Sequence, residues 1–245
     1  MTSYHGGKQR IGSRLAEYMH YVCSMLQDTQ SITPKGYCEP FCGMLGVYQH
    51  IPTLFGSKLT YLAGDTNESV IKMWKRAQNG WKPPTTCTKA EYERLKSASP
   101  SALKGYIGHQ YSFGGQYFMG YAPSYGKTVD SSKASASIVS IAKNLKNVTF
   151  SVGSYTQYSN LSNYIIYCDP PYQNTSQRYT TLEGFNSNDF WEWCRSMVKR
   201  NNIVFVSGYS APKDFIELTS FSHKLTGIIH SNADKRRVEK LFMLI

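Results

Sequence analysis

The sequence predicts an α/β protein on a doubly wound, mostly parallel sheet, with a module inserted after the second strand–helix pair. Three observations predict it. From the N-terminus to Gln78, apolar runs that stop at a glycine or an acid alternate with helix-spaced segments. The alternation then breaks over 79–128, a stretch rich in Gly, Tyr, Lys and turn residues. It resumes at 131 as helix, strand, strand, helix, strand, and ends in two candidate antiparallel strands. There is no internal repeat.

Taken in order, residues 1–10 are a polar entry bearing glycines. Residues 11–27 read as a helix, because Ile11, Leu15, Tyr18, Met19, Val22 and Leu26 share one face. "SITPKG" is a turn, and "YCEPFCG" a short strand that leaves through glycine into "MLGVYQHI", the start of a helix. "SKLTYLAGD", 57–65, alternates and ends in an acid, so it is a second strand. "ESVIKMWKRAQ" is a helix with apolar residues at 70, 71, 73 and 74. Beyond the irregular 79–128, residues 131–147 are helical, with Ile138, Ile141, Ala142 and Leu145 at helix spacing. "VTFSVGSY" and "NYIIYCDPPY" are strands. "NSNDFWEWCRSMVKR" is a helix capped by Asn186 or Ser187, with Asp189 and Glu192 in its first turns. "NIVFVSGYS" is a strand, and "HKLTGIIH" and "EKLFMLI" are the antiparallel pair.

Composition narrows the class. A hydrophobic content of 41% with 18% charged residues fits a globular chain of 245 residues, long enough to bury a full core. Lys and Arg outnumber Asp and Glu by 27 to 16, and 19 residues are Tyr. Cations neutralise phosphates and rings stack on bases, so this mixture tilts towards nucleic acid over a merely basic protein. The six cysteines include no CxxC pair, and none joins a His at zinc-site spacing, so free thiols and no metal are expected. Scattered histidines 5, 20, 50, 109, 223 and 230 read as surface or packing residues. No apolar run reaches the length of about 18 residues that a membrane span needs, and no signal-peptide pattern opens the chain. A protein of the cytoplasm, in a bacterial, phage-infected or virus-infected cell, is the expectation.

Three segments carry chemistry. "EPFCGMLG", 39–46, turns from a strand into a helix through Gly43 and Gly46, where a doubly wound sheet receives a nucleotide-like ligand. It has neither the GxGxxG nor the Walker pattern. Asp65 ends the next strand after the Gly43 turn, placed for ribose hydroxyls or for capping the following helix. "DPPY", 169–172, presents a carboxylate at a strand end. An amine on an aromatic base has its lone pair drawn into the ring. Two acceptors that bind both its N–H groups, the Asp169 carboxylate and the Pro170 carbonyl, pull the nitrogen towards a nucleophilic geometry. Two prolines fix the carbonyl's direction, and Tyr172 offers a stacking face. The plain alternative is a stiffened strand exit with a packed Tyr.

These segments resemble the Dam-like (D12 class, alpha-group) DNA adenine-N6 methyltransferases, nearly end to end. "YHGGK", 4–8, is similar to the family's W/Y-x-G-G-K segment, "EPFCGMLG" to its EPFxGxG loop and "DTNE" to its D-x-N segment. "FGGQYFMGYA", 113–122, "YCDPPY", "SGYSAPKDF" and "EKLF" follow in the family's order. The resemblance implies a Rossmann-like S-adenosylmethionine-dependent core with a mixed, mostly parallel seven-stranded sheet, over 1–75 and 131–245. An inserted target-recognition domain would span 76–130. The cofactor would be held by Tyr4, Gly6, Gly7 and Lys8, by Glu39, Pro40, Phe41, Cys42 and Gly43, by Asp65 and Asn67, and by Ser154 and Asp169. Asp169, Pro170, Pro171 and Tyr172 would hold a flipped adenine. Two departures stand out: many relatives have Asp where this chain has Ser154, and S-E-Y where it has Ser207-Gly208-Tyr209.

In the family, the insertion reads the DNA. Here it holds Lys82, Lys89, Arg94, Lys96, Lys104 and Lys127, interleaved with Tyr92, Tyr106, Tyr111, Tyr117, Tyr121 and Tyr125. Any single tyrosine is better read as packing a small local core. Lys104, Tyr117, Tyr121, Lys127, Arg178, Tyr179, Arg236 and Arg237 are the nucleic-acid candidates. The implied partner is double-stranded DNA, with no membrane and no metal, in a monomer or weak dimer. A cognate restriction endonuclease is a further expected partner. Two alternatives stay open: the same chemistry on RNA or another exocyclic amine, and a catalytically silent DNA-binding protein.

Overall fold

A computed structural model describes residues 4, 6–122, 130–171, 185–224 and 236–244, without the side chains of 222–224 and 236–237. The elements run α1 (Gly12–Gln30), β1 (Gly36–Glu39), α2 (Ile51–Phe55), β2 (Thr60–Asp65), α3 (Glu68–Gln78), α4 (Lys89–Ser97) and α5 (Ala102–Gln110). They continue as α6 (Ser132–Ala142), β3 (Val148–Val152), β4 (Tyr164–Cys168), α7 (Ser187–Val198), β5 (Ile203–Gly208), β6 (Phe215–Lys224) and β7 (Arg236–Leu244).

The seven strands form one sheet in the order β3-β2-β1-β4-β5-β7-β6. β1 pairs in parallel with β2 and with β4, and β4 in parallel with β5. β7 is antiparallel to both neighbours, so it alone is reversed. The mixed, mostly parallel seven-stranded sheet implied by the resemblance is therefore present.

The central strands β1, β4 and β5 are buried at every residue, as strands covered on both faces must be. Their side chains alternate between two cores. Ile165 and Tyr167 of β4 enter one with α1, α3 and α5, while Ile166 and Cys168 enter the other with α7.

Asn67 caps α3, accepting from the N–H groups of Ser69 and Val70 at 3.1 and 3.3 Å. Asn186, one of the two expected caps, starts α7 with bonds from Asn188 and Asp189.

Two expectations need correction. The antiparallel partner of β7, expected to begin at His223, begins at Phe215 as β6, Phe215–Lys224, paired with β7 down its length across one irregularity; the rest of that expected strand, 225–230, lies outside the described residues. The insertion, read as lacking periodicity, contains α4 and α5, capped by Thr88 and Ser101. Their apolar faces are short and bury tyrosines where an apolar stripe is usually aliphatic, which hid them. Tyr92, Tyr106 and Tyr111 are buried in the same core as α1 and α3. The insertion is thus packed onto the sheet's helical layer.

Candidate active site

In this strand order β1 leads outward to β2 and β3, while β4 leads the other way to β5. The crevice beyond the carboxyl ends of β1 and β4 is thus the switch point, where open α/β sheets bind ligands. Cys38 of β1 lies level with Ile166 of β4. The chain leaving β1 at Glu39 therefore meets the chain leaving β4 at Asp169, though the two are distant in sequence.

The β1 exit is held from three sides. Gly43 N–H donates to Asp65 Oδ2 at 2.9 Å, and Asn67 N–H to Asp65 Oδ1 at 2.8 Å. The buried Trp74 indole donates to Gly43 O at 2.9 Å. Gly43 itself has φ +43°, and a Cβ there would stand 2.8 Å from the Tyr4 hydroxyl. At Gly46 a Cβ would stand 3.0 Å from the backbone of Lys8 and Gln9. The second glycine therefore makes room for the chain's own N-terminal segment, where a ligand was expected.

Asp65 thus braces the loop through one bond on each oxygen. A carboxylate has about four acceptor sites, so capacity for hydroxyl donors remains. Burial pushes its pKa up, and the N–H groups of Asn67, Gly43 and Thr66 oppose that. The first helical cap belongs to Asn67, not to Asp65.

At the β4 exit, Lys8 Nζ lies 2.6 and 2.7 Å from the two oxygens of Asp169, 3.2 Å from Gly6 O and 3.5 Å from Glu239 Oε1. Lys8 is 6% exposed, Glu239 3% and Asp169 19%. Burial works against the lysine's charge, but Asp169 and then Glu239 outweigh it and raise its pKa. Beside them Tyr37 OH donates to Glu39 Oε1 at 2.6 Å. Burial holds Glu39 well above the ordinary carboxylate range; the Tyr37 bond opposes this and the charge of Asp169 adds to it.

One cleft joins these groups. Tyr4, Gly6, Gly7, Lys8, Glu39, Phe41, Cys42, Gly43, Asp65, Asn67, Asp169, Pro170 and Pro171 all line it. Tyr117, expected to face DNA, lines it too, together with His109, Gln116, Met119 and Tyr167.

Several expected residues stand elsewhere. Pro40 is buried and does not line the cleft. Ser154 is exposed and caps a short helical turn through Thr156 N–H, outside the cleft. The Lys104 ammonium donates to Lys96 O at 3.1 Å and to Ala98 O, closing the end of α4 in place of reaching for phosphate. The Tyr121 hydroxyl donates to Cys87 O. Tyr172, Lys127, Arg178 and Tyr179 lie outside the described residues, as do the side chains of Arg236 and Arg237.

Glu239, His109, Gln116 and Tyr167 were not singled out from the sequence. Glu239 did sit in the noted "EKLF", and Gln116 in "FGGQYFMGYA"; His109 carried no signal. Among the described residues no cluster of His, Cys, Asp or Glu is placed to hold a metal, and no helix is long and apolar enough to cross a membrane.

The sheet order and the cleft at its switch point define the fold class: a Rossmann-like methyltransferase fold. More narrowly, residues 118–233 match the D12 class N6 adenine-specific DNA methyltransferases, the family that the resemblance implied.

Among solved structures the chain is similar to the rRNA methyltransferase AviRa of Streptomyces viridochromogenes, with 10% identity, a TM-score of 0.39, and 95% of this chain and 84% of that one covered. It is also similar to TrmN of Thermus thermophilus, with 10% identity, a TM-score of 0.41, and 91% of this chain and 48% of that one covered. No curated protein matches the chain.

Proposed function

We propose that the protein transfers the methyl group of S-adenosylmethionine to the N6 amine of an adenine extruded from duplex DNA. The observation that carries this reading is the meeting of Asp169, Pro170 and the Gly43–Asp65 loop in one cleft. Bound there, S-adenosylmethionine supplies an electrophilic methyl on a sulfonium.

The residues present suit such a cofactor. Asp65 retains acceptor capacity for ribose hydroxyls, the turn at Gly43 carries no side chain, and Glu39 and Phe41 line the cleft beside them. Asp169 and the Pro170 carbonyl accept the two N–H groups of the target amine. They concentrate negative potential where charge builds on nitrogen during an in-line displacement. Lys8, bonded to both carboxylate oxygens, fixes the plane of Asp169. The incoming amine takes a lone pair that this cation leaves unused, or displaces it. The proton shed by N6 goes to Asp169 or to a water beside it.

Exposed Lys82, Lys89, Arg94 and Lys96 on the insertion give phosphate contacts that position the duplex. Removing the amine from the stack is required, since it cannot be approached in line within the duplex.

The test is transfer of labelled methyl from S-adenosylmethionine to duplex DNA and to structured RNA, with the product mapped as N6-methyladenine. Asp169→Asn should lower the rate by about 10²–10³ while DNA binding persists. Labelling of RNA alone would replace the DNA reading. Labelling of neither, with DNA binding intact, would leave a silent DNA-binding protein.

A further inference from the structure

One buried side chain in the cleft has no part in the chemistry above. His109, near the end of α5, is 6% exposed and lines the cleft. Its Nδ1 lies 3.0 Å from the carbonyl oxygen of Gly115. A carbonyl only accepts, so Nδ1 carries the proton and Nε2 of the neutral ring is a bare lone pair. Burial pulls the pKa down to about 4 against the opposing effect of that carbonyl, so the ring is neutral near pH 7.

Nε2 is itself buried, and among the described residues no donor reaches it. Buried polar atoms are paired in the great majority of cases, so an exception beside a ligand cleft calls for a donor. The ring is not free to turn and find one. Tyr4 and Tyr117 pack on it at 4.6 and 4.8 Å between centroids, and turning would break the Gly115 bond. Tyr4 in turn abuts Gly43, whose N–H is bonded to Asp65.

We propose that His109 is a cofactor-binding residue contributed by the insertion, its Nε2 accepting a hydrogen bond from an O–H or N–H of S-adenosylmethionine. The proposal rests on the cofactor reading above. The donors that such a molecule offers are its ribose hydroxyls, its adenine amino group and its α-ammonium. The sulfonium offers none, and a neutral imidazole sets no like charge beside it. The insertion would then touch cofactor as well as DNA, so cofactor binding and the placement of the recognition module are linked.

Calorimetric titration of the full chain tests this, with S-adenosylmethionine and separately with 5′-methylthioadenosine, which lacks the α-ammonium. His109→Asn keeps an amide N–H for Gly115 and deletes the acceptor at Nε2. His109→Gln reaches the Nε2 position with an oxygen. The Asn variant should bind S-adenosylmethionine about tenfold more weakly, and the Gln variant should recover most of the loss. A loss for both ligands assigns the donor to the nucleoside; a loss for S-adenosylmethionine alone assigns it to the α-ammonium.

Binding by a folded Asn variant within about twofold of the parent overturns the proposal. So does an equal loss in Asn and Gln, which marks a packing role. If the Asn variant unfolds, His109→Phe, which keeps a ring between the tyrosines, carries the same tenfold expectation. A parent protein that does not bind S-adenosylmethionine refutes the cofactor reading, and the proposal with it.

Discussion

Replacing Lys8 by methionine removes the cation shared by Asp169 and Glu239 and leaves a side chain of similar length. Two carboxylates then lose that shared cation, Glu239 at 3% exposure and Asp169 at 19%. Breaking a buried ion pair on one side costs about 3–5 kcal/mol. The residual water contact of Asp169 puts the expectation at the lower end, about 3 kcal/mol. In a chain of this size that is a fall in Tm of roughly 6–12 °C.

Urea unfolding followed by circular dichroism measures it. Adding Glu239→Gln to the Lys8→Met protein should recover at least about 1 kcal/mol, because it removes one of the two like charges. The Lys8 pKa is raised, so its contribution is fully present below the unfolded value near 10.5 and is lost only as pH rises past the folded one. The Lys8→Met deficit should therefore stay constant from about pH 6 to 9. A deficit below about 1 kcal/mol, or no relief from Glu239→Gln, refutes the buried-cluster account.

Asp65→Ala should act twice. Loss of acceptors for Gly43 and Asn67 N–H costs about 1–3 kcal/mol, and calorimetric affinity for S-adenosylmethionine should fall; unchanged affinity removes its ribose role. Replacing Lys89, Arg94 or Lys96 by glutamine should lower the salt slope of DNA binding by about 1 each. Lys104→Gln should leave that slope unchanged and lower Tm instead, because its ammonium closes α4.

Much of the site was legible because its parts are local. A strand that ends in Asp-Pro-Pro announces itself through backbone chemistry: neither proline can extend a sheet. An acid closing the strand that follows a glycine turn, as Asp65 follows Gly43, is likewise a short-range signal. Asn186 as the α7 cap needed only its neighbours. The insertion's helices were less legible, because Tyr92, Tyr106 and Tyr111 are amphipathic and fit a base-stacking surface as well as a core. Only packing decided between the two, and it buried them. Ser154 and Pro40 were placed by their motif position, yet each side chain's direction depends on the turn around it.

By itself, then, the sequence determined the strand–helix order, the acid and glycine turns and the segment of D12 likeness, all of them read within a few residues. The tertiary structure decided what those turns meet. The N-terminal segment, the exit of β4 and the reversed strand β7 bring Lys8, Asp169 and Glu239 together from three distant parts of the chain. The fold of 111–122 back over α5 turns His109, one of six scattered histidines, into a buried acceptor at the cleft. Burial and pairing are properties of neighbours in space, and no window along the chain contains them.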